Sequence, residues 1–242
     1  MKMIIALLLL SIFSVSCQEK AGSSVKLKTE DDKTFYAMGF MLGSNLQRLN
    51  LSDHELSALY KGVVASAKNL EAEVEMPIYQ PKIQQMFKSR MESFSKKQKT
   101  DGDQYITDYV KKNPKAKKTE SGLVYEVLKE GTGEAPKETD TVEVHYHGTL
   151  TNGEVFDSSV DRGKTISFPL NRVIKGWTEG LQLVKTGGKI RLVIPSELGY
   201  GDAGAPPKIP GGSTLVFEVE LFKINPEAEK PAAKKPEATK KK

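Results

Sequence analysis

The sequence predicts an α+β protein, with a helical N-terminal part followed by an antiparallel sheet that wraps over a short helix. Three observations predict this. Ahead of residue 113, apolar residues recur every three or four positions, as in amphipathic helices. After residue 121, apolar and polar residues alternate with a period of two, which indicates half-buried strands. Asn152-Gly153, between two such runs, is a strong hairpin signal.

The N-terminal segment is predicted to be an export signal. Lys2 precedes an apolar run, Met3–Val15, that is too short to span a bilayer and fits the core of a signal peptide. Cys17, the only cysteine, follows this run and resembles the lipid-bearing cysteine of a bacterial lipoprotein. Ordinary cleavage after the small residues Ser14 and Ser16 is the alternative. We favour a lipid anchor on Cys17, because a single cysteine gives an exported protein no disulfide.

Two helices are expected after a short polar tether. The first carries an apolar stripe that includes Gly39 and Gly43, and since glycine destabilises a helix, we expect another helix to approach closely there. Acidic residues between Thr29 and Asp32 suit its start. The second begins at Ser52, in a capping-box pattern whose acidic member is three residues further on. Their apolar faces must pack on something, because neither helix is long enough to be stable alone.

A third, longer helix is expected from about Pro81, a first-turn position, to Lys112. At 1.5 Å per residue it would span roughly 45 Å, and its Lys-rich outer faces favour a stalk. Asp101-Gly102-Asp103 interrupts its apolar stripe, so we expect a bend or a loosening there.

The composition is ordinary for a soluble globular protein, with 38% apolar and 28% charged residues. The net charge is +5, and the last 18 residues supply +3 of it through six Lys against three Glu. No compact basic face with interleaved aromatics appears elsewhere, so we expect no nucleic-acid partner. The low-complexity tail after Ile224 is predicted to be disordered.

One face of the sheet is predicted to gather aromatic residues. Tyr146 shares the parity of Val142 and Val144 along its strand, so we expect it to point inward. The pattern brings five aromatics to this region: Tyr146, Phe156, Trp177, Tyr200 and Phe217. That is more than the packing of so small a domain requires, although a plain aromatic core stays open on composition alone.

Several separated motifs carry a family resemblance. They are Val144-His145-Tyr146-His147-Gly148, Phe156-Asp157-Ser158-Ser159, Val173-Ile174-Lys175-Gly176-Trp177, Ile194-Pro195, Leu198-Gly199-Tyr200-Gly201 and Leu215-Val216-Phe217-Glu218-Val219-Glu220-Leu221. In this order and spacing, from about Leu123 to Ile224, the chain resembles the FKBP-type peptidyl-prolyl cis-trans isomerases.

The resemblance implies a pocket for a proline ring, with Trp177 as its floor. Its implied lining is Tyr146, Phe156, Val173, Ile174, Trp177 and Phe217. Tyr200 and the backbone N–H of Ile174 would bind substrate carbonyls. The implied catalytic residues are Tyr146, Phe156, Asp157 and Tyr200. The chemistry implied needs no cofactor, metal or nucleophile, because rotation about an amide bond moves no proton.

The resemblance also implies a rim around this pocket. Arg162 would partner the Asp157 carboxylate, and Ile209 would belong to a loop over the site. Two rim positions depart from the family: Ile166 stands where an aromatic residue is common, and Ala205 where some members have His. We expect these departures to affect inhibitor affinity and the preference for the residue before proline.

His145 and His147 share one strand face and could together bind a metal. We favour two solvent-facing residues, because no third ligand is evident nearby.

The helical part is similar in architecture to Mip-like dimeric bacterial isomerases, in which stalk helices hold two catalytic domains apart. This implies a homodimer through residues 29–80. The predicted divisions are a signal peptide 1–16, a tether 17–28, a dimerisation domain 29–80, a stalk helix and linker 81–120, an isomerase domain 121–224 and a tail 225–242.

Two functions are therefore weighed. The first is an exported isomerase that assists the folding of proline-containing polypeptides in the periplasm or at the outer membrane. The second is a chaperone or binding module of the same fold with little isomerase activity.

Overall fold

The computed structural model describes residues 25–226. The predicted signal peptide, Cys17, most of the tether and the tail beyond residue 226 lie outside the described residues. The chain divides into two compact units between Tyr79 and Gln80. Among residues 25–226, no helix is both long and apolar enough to cross a membrane.

Both helices of the first unit begin with a capping box. They are α1, Glu30–Ser44, and α2, Asp53–Ala67. In α1, the Thr29 hydroxyl accepts a hydrogen bond from the Asp32 N–H at 3.1 Å, and the Asp32 carboxylate accepts one from the Thr29 N–H at 2.8 Å. Ser52 and Glu55 make the same exchange in α2, which confirms the predicted start.

The apolar stripes of α1 and α2 face outward in the described chain. No residue of either helix is buried. The side chains of Phe35, Phe40 and Met41 are 65–70% exposed, and nothing lies within 4 Å of the space above Gly39 or Gly43.

The long helix α3 spans Met76–Lys112 and starts earlier than predicted. Pro77 occupies its first turn, where a missing N–H costs nothing, so Pro81 lies inside the helix. Helix continues through residues 101–103, where a bend or a loosening is expected from the sequence. Gly102 is buried there because it packs against Thr214 of the same unit.

In the described chain, seven strands form one antiparallel sheet in the order β1-β2-β6-β7-β3-β4, with β5 on the same edge of β3 as β4. The strands are β1 Lys117–Lys118, β2 Val124–Lys129, β3 Thr141–Leu150, β4 Val155–Ser158, β5 Ile166–Pro169, β6 Lys189–Ile194 and β7 Leu215–Ile224. The long strands β3 and β7 pair over nine residue positions and form the centre. The C-terminal half of β3 pairs with β4 and its N-terminal half with β5.

A short helix, α4 (Lys175–Gly180), packs on one face of this sheet. It is shorter than the helical stretch that the sequence predicts around Val173–Leu183, because Ile174 is extended and residues 181–183 form a 3₁₀ turn. Trp177 and Leu181 lie in the main core with the inward residues of β3, β6 and β7. The other face receives the C-terminal part of α3, whose Ile106 clusters with Val124 and Val193.

Candidate active site

Side chains of strand β3 point alternately to the buried inward face of the sheet and to the half-buried opposite face. Tyr146 points inward and is 5% exposed, whereas His145 and His147 are half-buried on the opposite face. Each histidine Nδ1 lies near a serine hydroxyl, at 3.0 Å from Ser159 Oγ and 3.1 Å from Ser158 Oγ respectively. Within the described residues, no group of three or more His, Cys, Asp or Glu side chains is arranged to hold a metal.

Trp177 forms the centre of an aromatic cluster on the inward side. Its ring centroid lies 5.2 Å from those of Tyr146 and Phe217 and 5.7 Å from that of Phe168, all in edge-to-face geometry. This arrangement matches the favourable orientation of aromatic quadrupoles. A Cβ at Gly148 would lie within 2.8 Å of ring atoms of Phe156 and Phe217, so this glycine makes room for both rings.

These rings open into a cavity of about 970 Å³. It brings together all eleven residues that the sequence placed in the pocket: Tyr146, Phe156, Asp157, Arg162, Ile166, Val173, Ile174, Trp177, Tyr200, Ile209 and Phe217. Ala205, the second departing rim position, also lines it.

The sequence reasoning missed five lining residues: Phe168, Arg172, Pro206, Pro207 and Lys208. Phe168 was detectable, because it lies two positions after Ile166 on β5 and so shares its face. It supplies an aromatic ring beside the position where Ile166 lacks one. No sequence pattern around Lys208 indicated that it would line the cavity. Its Nζ donates to the backbone carbonyl of Phe156 at 2.9 Å, a contact between distant segments.

A polar network occupies one wall of the cavity. The Tyr146 hydroxyl donates to one oxygen of Asp157, and Arg162 Nη1 donates to the other. Arg162 Nη2 donates to the Tyr146 hydroxyl at 3.0 Å, and the guanidinium carbon lies 5.7 Å from the Tyr146 ring centroid. Each of the three side chains is therefore hydrogen-bonded to the other two.

This network keeps Asp157 ionised. Burial disfavours its charge, but the hydrogen bond from Tyr146 and the Arg162 guanidinium outweigh burial and lower the pKa of Asp157 below its ordinary value. Burial and the bond to Asp157 raise the pKa of Tyr146.

Tyr200 also lines the cavity and is 41% exposed. Burial and the negative charge of Asp157 raise the pKa of Tyr200 above its usual value near 10. Its hydroxyl therefore stays protonated at neutral pH and can donate a hydrogen bond to a ligand.

An antiparallel sheet packed on one short helix, with an aromatic pocket and polar groups that line it, is the arrangement expected from the resemblance to FKBP-type isomerases. Comparison with known proteins agrees with this class. The profile described as FKBP-type peptidyl-prolyl cis-trans isomerase matches residues 132–222, and that of the domain amino-terminal to such isomerases matches residues 31–127.

Individual relatives match over most of their length. The chain is 41% identical over 230 residues to the FKBP-type peptidyl-prolyl cis-trans isomerase FkpA of Escherichia coli, covering 90% of this chain and 84% of that protein. It is 42% identical over 218 residues to FkpA of Aeromonas hydrophila, covering 85% and 79%. The crystal structure of E. coli FkpA aligns with a TM-score of 0.65, covering 84% of this chain and 100% of that one.

The chain belongs to the FKBP-type peptidyl-prolyl cis-trans isomerase family, whose members are enzymes that assist protein folding. The helical N-terminal region lies within the part of the chain that matches the domain amino-terminal to such isomerases.

Proposed function

We propose that this chain isomerises X–Pro bonds of polypeptide clients in the aromatic cavity, with the residue roles set out below. The observation that carries the proposal is the Trp177 cluster, in which three aromatic rings pack on Trp177 and line the cavity together with the Asp157 carboxylate, both of whose oxygens accept hydrogen bonds.

The reaction is slow without help because rotation removes amide resonance, at a cost of about 18–20 kcal/mol. Isomerisation then takes tens to hundreds of seconds. The planar amide is more polar than the twisted one, so an apolar and water-poor site favours the twisted state relative to the ground state. The rings of Tyr146, Phe156, Trp177 and Phe217 supply such a site.

Fixed donors then orient the client chain. In this proposal Trp177 is the floor beneath the proline ring, with Val173 and Ile174 beside it. The Tyr200 hydroxyl and the Ile174 backbone N–H donate to client carbonyl oxygens. The proposal is supported by their common location on the cavity and by the protonated state of Tyr200 at neutral pH.

Asp157 has an electrostatic and orienting role rather than an acid–base one. Both of its oxygens already accept hydrogen bonds, from Tyr146 and Arg162. A carboxylate held ionised by these donors is a poor general acid at neutral pH, and the reaction transfers no proton. The network fixes the Tyr146 ring that forms one wall of the cavity.

A protease-coupled assay on short X-Pro-Phe peptides tests the function. We expect wild-type protein to accelerate isomerisation, and the Asp157→Ala and Tyr146→Phe variants to be slower. No acceleration by the wild type would leave the second function, a binding module that holds clients. The exposed apolar residues of α1 and α2 favour some client binding in either case.

We also propose that two copies associate through residues 29–80. The support is the exposed apolar stripe of α1, which includes Gly39 and Gly43, and the architectural resemblance of this region to Mip-like dimeric isomerases. Sedimentation of a chain that starts at Gln18 should give a dimer. A fragment that starts at Gln80, which keeps all of the sheet unit, should give a monomer. A monomeric longer chain would contradict the proposal.

Export and lipid attachment at Cys17 complete the proposal. They are supported by the apolar run before Cys17 and by the absence of a second cysteine in the sequence. Mass measurement of the mature N-terminus distinguishes the outcomes: acyl chains on Cys17 support the anchor, and an unmodified N-terminus near this position supports ordinary cleavage.

A further inference from the structure

One loop supplies much of the cavity rim. We call residues 199–213 the rim loop; it joins the turn at Ser196–Leu198 to β7 and carries Tyr200, Ala205 and Ile209. It contains no helix or regular strand of its own. The position of the Tyr200 hydroxyl therefore depends on what holds this loop.

Helix α3 contacts both ends of the rim loop through one short segment. Ser95 is 4% exposed, and its hydroxyl donates to Asp202 Oδ1 at 2.7 Å. One turn later, Lys99 Nζ lies 2.8 Å from the same Asp202 oxygen and 3.1 Å from Glu197 Oε1. Asp202 is only two residues from Tyr200.

The other end of the loop touches the same turn of helix. Gly212 has φ +77°, and a Cβ there would lie 2.3 Å from the backbone oxygen of Ser95. A Cβ on Gly102 would lie 2.2 Å from Oγ1 of Thr214, the residue that follows the loop, so the helix also approaches closely where the loop ends. Ser95, Lys99 and Gly102 therefore form one docking stripe on α3.

Backbone hydrogen bonds connect this docking to Tyr200. The Gly212 N–H donates to the Gly201 carbonyl at 2.8 Å, and the Gly201 N–H donates to the Ser196 carbonyl at 2.8 Å. The Gly204 N–H donates to the carbonyl of Tyr200 itself at 3.1 Å. These hydrogen bonds join the two ends of the loop close to Ser95. A shift of these ends would therefore move Tyr200.

We infer that Ser95 and Lys99 are positioning residues for catalysis, acting through Asp202 on the Tyr200 hydroxyl. The inference rests on the proposed function, since it concerns the same cavity. The partly exposed Lys99 pairs alone would contribute little to stability. The buried Ser95 bond and the glycine contacts seat the loop on the helix, and the two Lys99 pairs hold Glu197 and Asp202, which flank Tyr200 in the sequence.

The test uses full-length protein and compares variants at the docking stripe with a matched control on the same helix. Ser95→Ala and Lys99→Met remove the two bonds to Asp202. Lys97→Met is the control, because Lys97 pairs with Asp101 of the same helix at 2.5 Å. We expect Ser95→Ala and Lys99→Met each to lower kcat/KM roughly three- to thirtyfold, mainly by raising KM. Lys97→Met should match wild type, and Lys99→Arg should recover most of the loss.

Two double variants show whether the effect passes through the named residues. Lys99→Met should cause a smaller loss in the Asp202→Asn background than in the wild type, since the pair with Asp202 is already broken there and only the pair with Glu197 remains. Lys99→Met added to Tyr200→Phe should cause little further loss. Far-ultraviolet circular dichroism checks the fold of every variant; if Ser95→Ala does not fold, the Lys99 series decides.

The results separate this inference from the proposed function. An inactive wild type would overturn both. An active wild type with Lys99→Met equal to Lys97→Met would overturn the inference alone. So would a Lys99→Met loss that persists undiminished in the Tyr200→Phe background.

Discussion

The Tyr146 hydroxyl donates a hydrogen bond to Asp157, and so joins the inward face of β3 to the end of β4 at the wall of the cavity. Arg162 closes the arrangement by donating to both residues. Tyr146, whose ring lines the apolar cavity, is thus held in place by the charged Asp157 carboxylate. The first prediction follows from this relationship.

Replacement of Asp157 by Ala should lower kcat/KM roughly tenfold, or about 1.4 kcal/mol. The Tyr146 hydroxyl and the Arg162 guanidinium would lose their common acceptor, so the ring would no longer be held in place. A peptide isomerisation assay checks this. Asp161→Ala is the control, because Asp161 is an exposed carboxylate four positions away that does not line the cavity. Equal losses in the two variants would contradict a specific role for Asp157.

Activity should be independent of pH between about pH 5 and about pH 8. Asp157 has a lowered pKa and stays ionised in this window, while Tyr146 and Tyr200 have raised pKa values and stay protonated. A protease-free assay, such as NMR exchange between cis and trans peptide, avoids the pH dependence of a coupling enzyme. A bell-shaped profile with an inflection near neutrality would indicate an acid–base step and contradict the proposal.

The Asp157 network should stabilise the fold only above acidic pH. A group with a lowered folded pKa contributes stability above its unfolded pKa of about 3.9, and this contribution is lost as the pH falls through the folded value. The stability difference between wild type and Asp157→Asn should therefore be constant from about pH 8 to about pH 5 and shrink below about pH 4. Urea unfolding at several pH values measures it. A difference that grows on acidification would have the wrong sign.

The rim should favour clients with an acidic residue near the proline. Arg172 and Lys208 line the cavity, whereas the carboxylate of Asp157 is already paired with Arg162. Peptides with Glu before Pro should therefore be favoured over peptides with Lys, by roughly two- to fivefold at low ionic strength. The ratio should fall between about 0.01 M and about 1 M salt, as the Debye length shortens from about 30 Å to about 3 Å.

Lys208→Met is the variant for this prediction, and Lys175→Met is a control from the start of α4, outside the cavity lining. The first should lower the Glu-to-Lys ratio and the second should not. If the Glu-to-Lys ratio does not change with salt in any of the proteins, the charges of the rim do not affect the choice of client.

Phe168 should contribute to catalysis although the sequence reasoning did not select it. Its ring packs edge-to-face on Trp177 and 6.2 Å from the Tyr146 ring centroid. Phe168→Ala should lower kcat/KM roughly tenfold, since loss of the ring opens the cavity to water. Phe222→Ala serves as the control, because Phe222 contacts His145 on the outer face of the sheet. Unchanged kinetics for Phe168→Ala would show that Ile166 and Trp177 suffice.

Local signals and alternation predicted much of the fold. The Ser52 capping box and the β3 alternation depend on neighbours in sequence, and both are confirmed. The predicted start of α3 at Pro81 was wrong. Pro77 and Pro81 both suit a first turn, and only the structure shows that Pro77 occupies it.

Most pocket residues of the site were predicted from the sequence, but the contacts that hold the site in place were not. The resemblance placed the pocket residues, but the docking of Ser95 on Asp202 joins positions 107 residues apart and leaves no periodic trace. Gly102 illustrates the same limit. In the sequence it looks like a break in a stripe, whereas in the fold it is the point where helix and sheet unit touch most closely.

Trp177 has one more consequence. It is the only tryptophan in the sequence, and it lies 4% exposed at the floor of the cavity. Light emitted at tryptophan wavelengths by the whole protein therefore comes from the place where the proline ring is proposed to sit. Binding of a client or an inhibitor can be followed by intrinsic fluorescence, without a label and without waiting for turnover.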